Sequence, residues 1–592
     1  VPKTSIIVQL YYKNIRLGIR SKTLIGFNPL NINYEYTMST KLLTKTNTFF
    51  KRSIYLIALT VVSISVANCK KKVTAGDQPL LDSVYITKFM QSEPQFKENL
   101  DWAKKFYREH EFALGWFTDH KLVPEAEKLF DVINKSDEEG LNPKDYQFFD
   151  LKEKLKELDD AKKDTAKFND LEKKLDLSLS ATYFKFASDY YRGLVVPREN
   201  KEVEWDVKRN KIKLHKALLT FLGDRESKYP YADFKPLHQE YANLKKALAH
   251  YREIEKAGGW PVIPAGTSLK AGQRSPAVPL LNKRLADFMD KGSASDSAVY
   301  GPALVSAVKK FQELHGQKPD GNVGPATVKL LNVPIQDRIR QIVINMERWR
   351  WIPKSFEPSY LLVNIPEYKL HVIENSKEVM TMNVIVGKTM NATPIFSDKL
   401  EHVVLSPYWN IPPGILKNEI APKVSSDPGY LDRMDMEVVT FKGEPVSASS
   451  VDWSKAGSEG FNYIVRRRPG PKNDLGDVKF IFPNTDNIYL HDTPHDELFS
   501  QSKRGFSHGC VRVERPIDLA VYLLRNVSGW DKSAILNQIS TRKEKYVAVK
   551  EQLPVYLVYF TAKADANGNV QFYEDIYGHD AQLASMYIKK LK

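Results

Sequence analysis

Residues 489–516 read YLHDTPHDELFSQSKRGFSHGCVRVERP and gather three of the chain's 12 histidines and one of its two cysteines. His491 follows the strand-like DNIY, and Cys510 follows Gly509 ahead of the apolar alternation VRV. Glycine lets the backbone approach a substrate closely and turn its amides toward it. A free thiol is mostly protonated at neutral pH, and the thiolate is the reactive form. A nearby imidazole that accepts the proton makes a nucleophile suited to acyl transfer. Amides at and just before Cys510 would then hold the developing oxyanion. Three histidines compete as the base. His508 shares the face of Cys510 if the segment is extended, His491 stands at a strand end, and His495 lies in a loop after Pro494. A zinc site built from His491, His495, His508 and Cys510 is the rival. Pro494 denies it a helical histidine pair, and no second thiol lies nearby.

Outward from this stretch the composition is that of a mainly-β domain over residues 340–592. SYLLVNIPEYKLHVI, VMTMNVIVGK and KLEHVVLSPYWNIP are apolar and β-branched, with Pro, Asn and Gly between them. A polar, acidic, Ser-rich passage at about 414–460 reads as an inserted lobe. PVYLVYFTAKADANGNVQFYEDI reads as a hairpin turning at Asn567-Gly568. Upstream, residues 277–333 predict a small module of three short helices, with PDGNVGP as a tight turn before the last. The Gly/Pro-rich segment 258–276 is a linker. Residues 69–257 read as a helical domain, in which Asp150 to Ser180 shows the three- and four-residue apolar spacing of one amphipathic helix. The fold class is therefore multidomain α+β.

The net charge of +15 is concentrated at the N-terminus. Residues 1–68 carry nine Lys/Arg against Glu35 alone, +8 of the total, so a nucleic-acid partner is not expected. From Met38, the expected natural start, a basic stretch ending at Lys51 and Arg52 precedes the 13-residue apolar run Ile54 to Val66. That run is short for a membrane span and fits a signal segment. It ends at VANC, so residues 1–68 read as a leader and Cys69 as a lipidation site. A lipid there would tether the chain to a membrane in the cell envelope or periplasm. Cys510 is then left without a disulfide partner in the chain.

The segment HDTPHDELFSQSKRGFSHGCVRV resembles the catalytic signature of the L,D-transpeptidases of YkuD type: a histidine, a loop of under twenty residues, then Ser507-His508-Gly509-Cys510. Arg512 stands where the family usually has Asn. CVRV, NMERWRW, VIVGK, PYWNIPP and YFTA resemble the large branch with a helical scaffold domain, a peptidoglycan-binding module and a lid insertion. AVKKFQELHGQKPDGNVGPATVKLLN resembles such a module, with Gln312, Asp320, Gly321 and Thr327 at its pattern positions. The resemblance implies Cys510 as nucleophile, His491 as base, and the Asp492 carbonyl as the group orienting His491, its side chain mattering less. It implies the amides of Gly509 and Cys510 as the oxyanion site and His508 as a tuning neighbour. Arg512, Ser507, Trp409 and Asn410 are implied substrate contacts. The implied reaction is 3→3 cross-linking of peptidoglycan tetrapeptide stems through a cysteine thioester, with release of D-Ala, sensitivity to carbapenems and no cofactor. An L,D-carboxypeptidase and a non-catalytic wall-binding lipoprotein are the alternatives.

Overall fold

A computed structural model of the chain describes residues 78–197, 205–206, 211–223, 238–290, 298–353 and 355–590. The leader, the expected start at Met38 and Cys69 lie outside the described residues. No helix among the described residues is long and apolar enough to cross a membrane.

The helical region is built around Thr165–Arg192, a 28-residue helix whose N-terminus is capped by Asp164 accepting from Lys167 N at 3.1 Å. The single helix expected over Asp150 to Ser180 is in fact two. Phe148–Asp160 runs into the one-turn Ala161–Lys163, and Asp164 then starts a new helix. The amphipathic spacing continues across the break, but an aspartate that caps an orphan N–H group favours a fresh start there. Gly193, at φ +84°, ends the long helix where a Cβ would meet Glu347 Oε1 at 2.4 Å.

Helix Ile335–Trp351 joins this region to the β-domain, and its last two turns are buried although they read NMERWRW. The charges there are paired. Glu347 and Arg350, both fully buried, meet at 3.2 Å. Glu347 Oε1 also accepts from Val195 N (2.9 Å) and Trp351 Nε1 (3.1 Å), and Arg350 donates to the Tyr241 hydroxyl and the Glu139 carbonyl. Residues of the scaffold thus converge on one buried pair.

The module contains the three short helices Val278–Arg284, Pro302–Leu314 and Pro325–Leu331 around its own apolar core of Leu281, Val308, Phe311 and neighbours. Gln312 donates to Asp320 (3.0 Å) and accepts from Gly321 N (2.8 Å), so these pattern residues build the turn at Gly321, φ +74°.

The β-domain centres on a twelve-stranded sheet. In its middle, Leu490–His491 lies between Val478–Ile481, antiparallel, and Val511–Val513, parallel. Val511–Val513 in turn pairs with the long strand Lys377–Gly387. All five residues of Pro554–Val558 are buried, as expected of a strand covered on both faces. The hairpin at Asn567-Gly568 joins Ala562–Ala564 to Val570–Phe572. A separate lobe has its own four-stranded sheet, which includes Trp409–Asn410, Met436–Val439 and Ile464–Arg467, and its own core around Leu416, Ile420, Met436 and Val465. Strand pairing closes this lobe at Trp409 on one side and Arg467 on the other.

Candidate active site

Pairing register places the chemistry. His491 stands opposite Lys479 on one neighbouring strand and opposite Arg512 on the other. Side chains two residues apart on a strand share a face, so Tyr489 joins His491 and Cys510 joins Arg512. The Tyr489 and His491 rings meet edge to face at 5.7 Å, and the Lys479 ammonium lies 3.9 Å from the Tyr489 ring centre. The result is a patch of one thiol, one imidazole, one phenol and two cations at the centre of the sheet.

His491 is buried, and its Nδ1 donates to the Asp492 carbonyl at 2.5 Å. A carbonyl can only accept, so Nδ1 carries the proton and Nε2 keeps its lone pair. Burial, then the Arg512 charge, push the imidazole down to about 3, with Lys479 adding to the effect. It is therefore neutral across the physiological range. Cys510 is the free cysteine among the described residues, and its S–H points to the Asn487 carbonyl at 3.7 Å. Burial raises its pKa; the Tyr489 main chain, the Lys479 charge, the Tyr489 hydroxyl and the Arg512 charge pull it back. The resting pair is thus thiol and neutral imidazole.

The Ser507-His508-Gly509-Cys510 turn is locked from within. Ser507 Oγ donates to the Cys510 carbonyl at 2.5 Å and accepts from Gly509 N at 3.1 Å. Ser507 is buried, so as placed it shapes the turn and is not open to a substrate. The Gly509 amide, expected as an oxyanion donor, is engaged by that serine. The Cys510 N–H has no hydrogen-bond partner among the described residues and is the available donor. Gly509 has φ +118°, which suits glycine, and its carbonyl accepts from Thr393 Oγ1 at 2.7 Å. The same hydroxyl accepts from Gly387 N at 2.9 Å, tying the turn to the end of the long strand.

Thr393→Val would leave a buried carbonyl and a buried N–H without partners, a loss of about 1–3 kcal/mol each. We expect it to lower the urea midpoint of unfolding, followed by tryptophan fluorescence, by an amount of that order. Thr393→Ser, which keeps the hydroxyl, should restore most of the midpoint.

The other expected residues fall in different places. The Asp492 side chain does more than the sequence suggests: its carboxylate accepts from Asp477 N and Thr493 N, each at 2.7 Å, and holds the turn beneath His491. Burial raises its pKa to about 6. Arg512 is largely buried, and its Nε has no partner. His508 pairs through its Nε2 with Glu419 of the lobe at 3.0 Å. Glu419 sits on a single π-helical turn, Leu416–Ile420, a distortion frequent at functional sites. Trp409 is half-buried under the Arg467 guanidinium and reaches the Tyr489 hydroxyl, whereas Asn410 is exposed at the lobe's edge. His495 is exposed beside Glu497 at 3.5 Å. The four proposed zinc ligands therefore do not converge, and no group of three or more His, Cys, Asp or Glu arranged for a metal occurs among the described residues.

Sequence reasoning missed Tyr489, Lys479, Thr393 and Glu419. The two-residue spacings Tyr489/His491 and Cys510/Arg512 could have pointed to Tyr489. The other three reach the site only through strand register and the lobe.

A model of the L,D-transpeptidase catalytic domain matches residues 358–534, a scaffold domain matches 101–248, and a peptidoglycan binding domain matches 274–331. A Haemophilus influenzae protein provisionally named L,D-transpeptidase is 35% identical over 244 residues, covering 41% of this chain. The chain matches 49% of that relative, about half its length. The crystal structure of an L,D-transpeptidase from Xylanimonas cellulosilytica is 18% identical and covers 50% of this chain and 99% of its own, with a TM-score of 0.16. One from Stackebrandtia nassauensis is 13% identical and covers 50% and 96%, with a TM-score of 0.19.

Proposed function

We propose, from the premise that this chain belongs to the YkuD-type L,D-transpeptidases, that it cross-links peptidoglycan through an acyl-enzyme on Cys510. The observation that carries this reading is the fixed tautomer of His491: with Nδ1 held by the Asp492 carbonyl, Nε2 is the basic nitrogen on the strand beside the thiol. His491 Nε2 takes the Cys510 proton as sulfur attacks the carbonyl after the third residue of a tetrapeptide stem. The Cys510 N–H faces the developing oxyanion. Collapse breaks the C–N bond, and His491 returns the proton to the departing D-Ala amine. An amine on a neighbouring stem then attacks the thioester, loses its proton to His491 and frees the thiol, leaving a 3→3 link. Thiol, imidazole and amide supply every step.

Two cations beside a weakly basic imidazole give the substrate a role in activation. A stem carboxylate seated on Arg512 or Lys479 cancels the charges that depress His491 and raises its proton affinity as binding occurs. The lobe, tied to the site by Glu419 and His508, serves as a lid that limits water and admits the amine. An envelope location follows from the substrate, with Cys69 as the lipid attachment point.

Purified tetrapeptide muropeptides incubated with the full chain test this function. Cross-linked dimer with released D-Ala supports transfer, and tripeptide alone would make the protein an L,D-carboxypeptidase. A pH profile tests the resting state. Because the Cys510 pKa is raised, its iodoacetamide alkylation rate should climb through pH 9 with no plateau near neutrality. A neutral-pH plateau would signal a resting thiolate–imidazolium pair instead.

A further inference from the structure

A cavity of about 240 Å³ lies where three parts of the chain meet and shares no lining residue with the Cys510 patch. Helix Gln239–Lys256 contributes His250 and Tyr251, the module contributes Arg284 and Asp287, and the hairpin contributes Asn567 to Val570 and Phe572. Its size falls just below the range of about 300–1,000 Å³ usual for small-molecule sites, and domain junctions are where such sites gather.

The walls are aromatic. Trp260 meets Tyr251 edge to face at 5.5 Å, and Tyr251 meets Phe572 at 6.0 Å. Behind them stand two buried cations. The Arg284 guanidinium lies 3.7 Å from the Trp260 ring centre, and that of Arg338 lies 4.3 Å from Phe572. Arg284 Nε donates to the Leu331 carbonyl, while its terminal nitrogens have no acceptor among the described residues. Arg338 Nε is buried with no partner. Neither guanidinium forms an ion pair among the described residues, and burial pushes both down to about 10. The one carboxylate of the lining, Asp287, is half-exposed at the rim and pairs with His250 at 3.0 Å. The Tyr251 hydroxyl has no protein partner among the described residues.

Buried charges are ordinarily paired, and a ring face compensates a guanidinium only in part. The missing group is an anion, and a guanidinium's fork suits a carboxylate. Flat aromatic walls suit a ring beside it. We propose that this cavity binds a carboxylate-bearing sugar, with the carboxylate on Arg284 and the ring against Trp260 and Tyr251. The site stands independently of the reading of Cys510.

Calorimetric titration of the full chain tests it with three probes: N-acetylmuramic acid, its carboxylate-free counterpart N-acetylglucosamine, and N-acetyl-D-alanine, a carboxylate without a sugar. N-acetylmuramic acid is expected to bind roughly tenfold or more tighter than either of the others. Arg284→Met should remove that preference. Because Arg284 is buried, the rim variant Asp287→Asn provides a second readout and should tighten binding about threefold by removing a like charge. Cys510→Ala should leave the affinity unchanged. Equal binding of the two sugars, equal or tighter binding of the amino acid, no binding at all, or weaker binding by Asp287→Asn would each overturn the proposal.

Discussion

Cys510→Ala protein given tetrapeptide muropeptides is expected to form no dimer and release no D-Ala, while His491→Ala retains a residue of activity about 10²–10⁴-fold below wild type. The first change removes the atom that bonds to the acyl group. The second removes the proton acceptor, a contribution of that size when a positioned base is lost. His508→Ala should have a much smaller effect, because its Nε2 is engaged by Glu419 of the lobe. Thermal unfolding of His491→Ala should come earlier than in wild type, because removing a buried ring leaves a cavity and strands the Asp492 carbonyl at about 1–3 kcal/mol, so activities are compared well below that transition. High-performance separation of the muropeptide products measures all three variants together. A His508→Ala defect deeper than that of His491→Ala would exchange their roles.

Glu347→Ala is expected to destabilise the fold by about 3–5 kcal/mol, the usual cost of stranding one partner of a buried ion pair. Removing the carboxylate leaves the fully buried Arg350 without its anion and frees Val195 N and Trp351 Nε1 of their acceptor. It also breaks the contact with the Tyr587 hydroxyl at 3.2 Å. Glu347→Gln keeps an acceptor oxygen and loses only the charge, so it should fall between alanine and wild type. The urea midpoint followed by tryptophan fluorescence reads the difference, because Trp349 and Trp351 flank the pair. Equal midpoints for alanine and wild type would show that the pair contributes nothing. The scaffold's hold on the β-domain would then have to come from apolar packing such as Trp349 on Phe560, stacked at 4.3 Å.

Local chemistry was legible in the sequence and long-range register was not. His491 and Cys510 stood out because scarce residue types fell within 28 positions. The module's three helices were legible from their spacing and from glycine at the turn. Asp164 hid the break between two helices, because periodicity measures which face is apolar and not where the chain restarts. The side-chain role of Asp492 was invisible because its partner, the Asp477 amide, arrives from a neighbouring strand. Lys479 and Thr393 belong to strands and loops far away in sequence, and nothing in VKFIF or MNATP marks them. Glu419 lies within a passage that reads only as polar. Gly509 shows the reverse case: the motif advertised two amides, and a serine three residues before the cysteine already binds one of them.

The most direct measurement is the intact mass of the protein after brief incubation with a tetrapeptide stem or a carbapenem, followed by peptide mapping. A single acyl adduct on the peptide containing Cys510, absent from Cys510→Ala and slow to form in His491→Ala, is the predicted result. An adduct of equal yield in Cys510→Ala, or cross-linking by wild type with no acylated cysteine at any time, would contradict a thioester route.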